Sequence, residues 1–192
     1  MINHLSKSIA LFFAKKNIIL KEEVDSYIYG FQIIFIFLLN WSIICSIMVY
    51  TGKFIETLLY MCSILTLRHH TGGYHAKTPI RCCILSVSTY ILILFALNLI
   101  IATNGIICLV ILLTISLVCI LKFAPIVHKN NPVSNESLKH HRKCSILYSL
   151  LITLIAIVFI LIKQYTFSLI LALGMFQVSI ALLIEKKFTK EV

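Results

Sequence analysis

Long apolar runs alternate with short polar breaks along this chain, and the breaks set its organisation. Within residues 3–16, Leu5, Ile9, Phe12 and Phe13 recur at helical spacing with Lys and Ser between them, so residues 1–20 read as an amphipathic helix. It lies on the bilayer surface or covers the protein's own core. Asn17 interrupts this pattern. A second helix is predicted to begin around Lys21-Glu22-Glu23, where acidic side chains suit a helix N-terminus, and to continue through Tyr29-Gly30 into an apolar run over 31–50. That run matches the roughly twenty residues a bilayer requires. Thr51-Gly52-Lys53 makes a turn, and the next run, 54–67, is short and contains Glu56. It crosses by tilting in a thinned bilayer or by being shielded by protein. Further runs cover 82–103 and 106–121, divided by the turn signal Thr103-Asn104-Gly105, and then 146–162 and 167–184, divided by Lys163-Gln164. The pattern predicts an all-α, polytopic integral membrane protein: one membrane domain over 1–192, with six hydrophobic segments and an N-terminal amphipathic helix.

Composition agrees with this. Of 192 residues, 60% are hydrophobic and 12% charged, and the mean hydropathy of +1.00 lies far from that of soluble domains. Lys7, Lys15, Lys16 and Lys21 break up the first thirty residues, so no cleavable signal peptide is expected and the N-terminus is expected in the cytoplasm. Seven cysteines are present, and Cys45, Cys62, Cys108 and Cys119 fall within apolar runs. They imply no disulfide framework, and no C-x-x-C pair signals structural zinc. The formal charge of +10 reports topology before it reports nucleic acid. With the N-terminus inside, the cytoplasmic segments hold four, three, five and three Lys and Arg, fifteen of seventeen; only Lys53 and Lys163 lie outside. Both termini, the 68–81 stretch and a basic 122–145 loop are therefore expected on the cytoplasmic face of the plasma membrane. Such a face attracts anionic lipid head groups or an acidic partner segment.

Candidate chemistry is concentrated in the polar stretch Arg68–Cys83. Thr78 followed by Pro79 is a helix-start signal, with Thr as N-cap and proline at the first helical position. Cys82 then lies in the first turn of a membrane-entering helix, where free backbone N–H groups, the helix dipole and adjacent Arg81 favour the thiolate. His75 precedes it by seven residues, and Gly72-Gly73 give the backbone freedom to turn. A Cys/His couple is the minimum for covalent acyl transfer. Two blander readings stand beside it: a solvated loop with an incidental thiol, and a metal site from His69, His70, His75 and Cys82. The second lacks acidic residues to orient the ligands. Cys83 shares the helix start, but adjacent helical residues point about 100° apart, so only one thiol can face His75. The group orienting His75 is open among Glu56, His69, His70, Thr71 and a backbone carbonyl. Asn40, Asn98 and Gln177, inside apolar runs, read as interhelical hydrogen-bond partners.

Arg68, Gly72-Gly73, His75-Ala76 and Cys82, together with Tyr29-Gly30, Ala124-Pro125 and Asn131-Pro132, resemble the accessory gene regulator B (AgrB) family of membrane cysteine peptidases. The resemblance implies Cys82 as nucleophile and His75 as base, supported by a loop containing Arg68, Gly72, Gly73, Thr78, Pro79 and Arg81. It implies an AgrD-like propeptide substrate whose acidic C-terminal tail is cut off through a Cys thioester, giving a thiolactone or lactone autoinducing peptide for quorum sensing. Lys77, Lys139, Arg142 and Lys143 are the expected tail-binding residues. A homodimer in the membrane is implied as well; no cofactor, metal or nucleic acid is. Rival readings are a small peptide exporter and a noncatalytic peptide-binding scaffold. An exporter should carry ionisable groups at mid-bilayer, where Glu56 is the main candidate.

Overall fold

The computed structural model describes residues 2–73, 78–102, 105–126 and 134–190. Among the described residues seven α-helices follow one another: α1 (Ile2–Lys15), α2 (Val24–Thr51), α3 (Phe54–Thr71), α4 (Pro79–Ala102), α5 (Ile106–Phe123), α6 (Asn135–Leu161) and α7 (Tyr165–Lys190), with a 3-10 turn over Lys21–Glu23 before α2. Among the described residues five stretches are long and apolar enough to cross a membrane, namely Lys21–Thr51, Ile80–Ala102, Ile106–Phe123, Glu136–Leu161 and Tyr165–Lys187. The chain is thus an all-α polytopic membrane protein. The predicted turn residues Thr103-Asn104 and the loop residues His128 and Asn131-Pro132 lie outside the described residues.

The chain forms two compact units. The first contains residues 1–51 and 76–90. Here α1 packs on α2 through its narrow side, with Ser6 and Ala10 buried, Phe13 edge-on to Phe31 at 5.7 Å and Gln32 donating to Asn3 at 2.8 Å. Leu5, Leu11 and Phe12 stay about half exposed. Small residues let α1 approach α2 closely while its bulky apolar side chains remain available to lipid.

The second unit contains residues 52–75 and 91–192, and α7 is its axis. Every residue from 168 to 175 is buried, as expected of a helix apolar all round and surrounded by others. It packs against α3, α5 and α6, and small residues permit this. A Cβ on Gly174 would come within 2.6 Å of Ser63 Oγ, and Ser179 Oγ donates across to the carbonyl of Ser116 at 3.2 Å. Tyr60 donates to Gln177 Oε1 at 2.6 Å, and Lys53 donates to Asn98 Oδ1 at 2.8 Å. In the first unit, Cys83 donates to Asn40 at 3.7 Å. All three in-span amides therefore join separate segments, as expected. Tyr60→Phe is expected to cost about 0.5–1.5 kcal/mol, read as a lower Tm in detergent with unchanged helix content.

The short 54–67 run is fixed at both ends by neighbouring segments. At one end of α3, Lys53 reaches Asn98 near the end of α4; at the other, the amide of Ile126, just beyond α5, donates to the carbonyl of Thr71 at 3.0 Å. Helix α3 therefore runs the length of α5, about 27 Å at 1.5 Å per residue. Thr57, Tyr60, Met61, Ser63, Leu67 and Thr71 are buried along it. Protein shielding covers its polar residues Thr57, Tyr60, Ser63 and Thr71.

Two boundaries differ from expectation: α3 continues through Thr71, so that Arg68, His69 and His70 are helical, and α6 begins early. Residues 122–145 read as a basic loop, but α6 begins at Asn135, so Lys139, His140, His141, Arg142 and Lys143 are helical. Ser134 caps the helix, accepting from the Ser137 amide at 3.3 Å, and Glu136 lies in the first turn. These are the favourable N-terminal groups, and they let the helix extend more than two turns beyond its apolar part.

Candidate functional site

In the first unit the predicted helix start is present. Pro79 opens α4, Thr78 Oγ1 accepts from the Arg81 amide at 3.4 Å, and the Cys82 amide closes the first turn on the Thr78 carbonyl at 3.1 Å. Arg81 is exposed. The two adjacent thiols have different surroundings: Cys82 is half-buried, whereas Cys83 is buried and donates to Asn40. The 100° step between neighbouring helical positions has turned one sulfur toward α2 and left the other accessible.

In the second unit, the last turn of α3, Arg68–Thr71, and the following Gly72-Gly73 make a strap, Arg68–Gly73, whose first four residues are helical where a polar loop was predicted. Gly72 is the C-cap, its amide donating to the Arg68 carbonyl at 3.2 Å, with φ 70° and ψ −146°; Gly73 has φ 120°. Both conformations are restricted to glycine in practice. The strap is held on two sides. Gly72 pairs as an isolated bridge with Ile126, so closely that a Cβ on Gly72 would overlap the Ile126 carbonyl oxygen. A Cβ on Gly73 would lie 3.4 Å from Ala181 on α7. The Gly-Gly pair thus permits close backbone approach as well as a turn. His75 and Lys77 lie outside the described residues, as do Tyr74 and Ala76.

Four imidazoles meet at the same end of this unit. His69 and His70, on the last turn of α3, face His140 and His141 on α6: His70 and His141 are joined Nδ1 to Nδ1 at 3.3 Å, and ring centroids of His69 and His141 are 6.1 Å apart. Tyr148 stacks on His70 at 5.2 Å. Burial, then the neighbouring His69, His141 and His140, hold the His70 imidazole below the usual histidine pKa. His140 and His141 lie within the 122–145 stretch that the sequence reads as a basic loop. The missed signal is helical spacing, since His141 and Tyr148 are two turns apart on one face. Among the described residues no three metal-ligating side chains are arranged about one point.

The remaining predicted residues are distributed as follows. Arg68 is half-buried within the strap, whereas Lys139, Arg142 and Lys143 are exposed on α6. Arg142 Nη1 donates to the Ala124 carbonyl at 3.5 Å, and Lys186 lies over the Phe123 ring at 3.6 Å. The strap, the α5 and α7 C-termini and the basic turns of α6 therefore occupy one end of the unit. Glu56, in the first turn of α3, is about 18 Å along the helix from Arg68 and cannot orient a group near the strap. It is also at the end of its helix, not at mid-span where an exporter would carry an ionisable group.

Comparison with known proteins gives the family. No solved structure matches the chain. It is 29% identical to an AgrB-like protein of Listeria innocua over 90 residues, 45% of this chain and 44% of that relative. It is 28% identical to accessory gene regulator protein B of Staphylococcus aureus over 114 residues, 59% of each chain; with the protein of a bovine strain the same identity extends over 130 residues, 67% of this chain and 68% of the relative. The chain thus spans about half the length of the first of these relatives. The family model described as Accessory gene regulator B matches residues 6–182, essentially the whole sequence, and this polytopic chain belongs to the accessory gene regulator B family.

Proposed function

We propose that this protein is a membrane cysteine endopeptidase and cyclase that removes the acidic tail of a short AgrD-like propeptide in quorum sensing. Family membership supports the substrate class. The observation that carries the chemistry is the contrast between adjacent thiols at the start of α4, where Cys82 is accessible and Cys83 is buried against Asn40.

His75 takes the Cys82 proton, and the thiolate attacks the carbonyl carbon just before the tail. The C–N bond breaks, and His75 returns the proton to the departing amine. The signal segment remains on Cys82 as a thioester. A thiol or hydroxyl within the substrate then attacks that carbonyl, closing a thiolactone or lactone ring and restoring the Cys82 thiol. Exchange between thioesters is nearly level in energy while hydrolysis runs downhill, so cyclisation needs a held substrate nucleophile and exclusion of water. The reaction site belongs at the cytoplasmic face, with Lys77, Lys139, Arg142 and Lys143 drawing in the acidic tail. Association as a homodimer is part of this proposal.

Purified protein in liposomes, given a propeptide and followed by mass, tests the proposal. A released tail and an adduct on Cys82 are the expected products. Transport without cleavage would favour an exporter; peptide binding alone, a scaffold.

A further inference from the structure

His70 is bound more tightly than a loop-end histidine requires. Tyr148 stacks on its ring at an interplanar angle of 20°, fixing the ring's orientation, and its Nδ1 lies 3.3 Å from Nδ1 of His141. Two imidazole nitrogens at that distance share one proton, with one ring donating and the other accepting. The pair persists when both rings are neutral or when one is protonated, but two imidazolium rings cannot keep it. Immediately beyond His70 are Thr71, whose carbonyl accepts from the Ile126 amide, and the Gly72 bridge. His75 follows Gly73 by two residues.

We propose that His70 and His141 form a proton-sensitive clasp that positions the Arg68–Gly73 strap, the described segment that precedes His75 in sequence. They are positioning residues, and this role rests on the proposal that His75 is the base. The charged surroundings push in one direction. On α3, His69 adjoins His70 and Arg68 precedes it; on α6, His140 is 6.4 Å away by ring centroids, with Lys139, Arg142 and Lys143 on the same turns. Helix α7 brings Glu185, Lys186 and Lys187 to this end, and the charges that lower the His70 value are those of His69, His141 and His140. Burial and like charge both resist a second proton. Because the folded-state pKa of His70 is lowered, the clasp is intact above the usual histidine range and opens as pH falls through the depressed value.

The test uses the full chain carrying Cys82→Ala in lipid nanodiscs, so that its outcome does not depend on cleavage. Hydrogen exchange of the Gly72 and Ile126 amides, corrected for intrinsic rate, is followed between about pH 7.5 and about pH 5, a range bracketing ordinary histidine. Opening should increase by up to about tenfold per pH unit for each proton taken up. In His141→Gln, which keeps a neutral hydrogen-bonding group, the acid-induced increase should disappear. A flat native profile, or an equal increase in native and variant, would overturn the clasp. If His141→Gln fails to fold, His70→Gln is measured in the same way. NMR titration of His70 in the unsubstituted chain is independent of either variant, and a normal or raised value there would also overturn it. Failure of the liposome cleavage assay would count against the peptidase and leave the exchange result standing.

Discussion

Cys82→Ala releases no tail from the propeptide and forms no covalent adduct, a loss of at least about a thousandfold in cleavage, whereas Cys83→Ala keeps most of its activity. The two residues are neighbours in sequence and opposites in environment. Cys82 is half-buried in the first turn of α4, after the Thr78 cap and beside exposed Arg81. Cys83 is 8% exposed and donates to Asn40, so its removal should cost stability, about 1 kcal/mol for the lost packing and hydrogen bond. Cleavage rate, adduct mass and Tm, measured for both variants, separate the two effects. An inactive Cys83→Ala beside an active Cys82→Ala would reverse the assignment of the nucleophile.

Gly72→Ala should be the most damaging single-methyl change in the second unit. Its φ and ψ lie in a region that costs a non-glycine residue about 1–3 kcal/mol. The added Cβ also meets the carbonyl oxygen of Ile126, a backbone atom that cannot rotate away. Together these terms should reach about 3 kcal/mol or more, enough to lower the population of the native strap about a hundredfold. Loss of exchange protection at the Ile126 amide, with a parallel loss of propeptide cleavage, is the expected result. Gly30→Ala is the control, because nothing lies within 4 Å of a Cβ at that helical position, and alanine there should be neutral or mildly stabilising. Native protection and cleavage in Gly72→Ala would show that the strap is not held as tightly as its geometry implies.

The sequence by itself determined the elements. Apolar runs bounded by polar turns located the spans, because a bilayer demands continuous apolar length and internally satisfied backbone. Thr78-Pro79 located the start of α4, because capping depends on groups only three residues apart. The in-span amides Asn40, Asn98 and Gln177 were legible as bonded groups, because an unpaired amide is costly there. Their partners were not legible, since Tyr60 and Gln177 are 117 residues apart.

Only tertiary structure decided the rest. Whether α3 crosses unaided depends on the helices that cover Thr57, Tyr60 and Ser63, and composition alone cannot name them. The separation of Cys82 from Cys83 depends on which side of α4 faces Asn40. His140 and His141 look like solvated residues until α6 extends into the basic run and sets them against His69 and His70. The Gly72-Gly73 pair announced a turn locally, but its second role, admitting the Ile126 backbone, depends on a loop more than fifty residues away. Propensities, caps and hydropathy act over a few residues and are written in local sequence. Shielding, close approach and proton sharing arise only where distant segments meet.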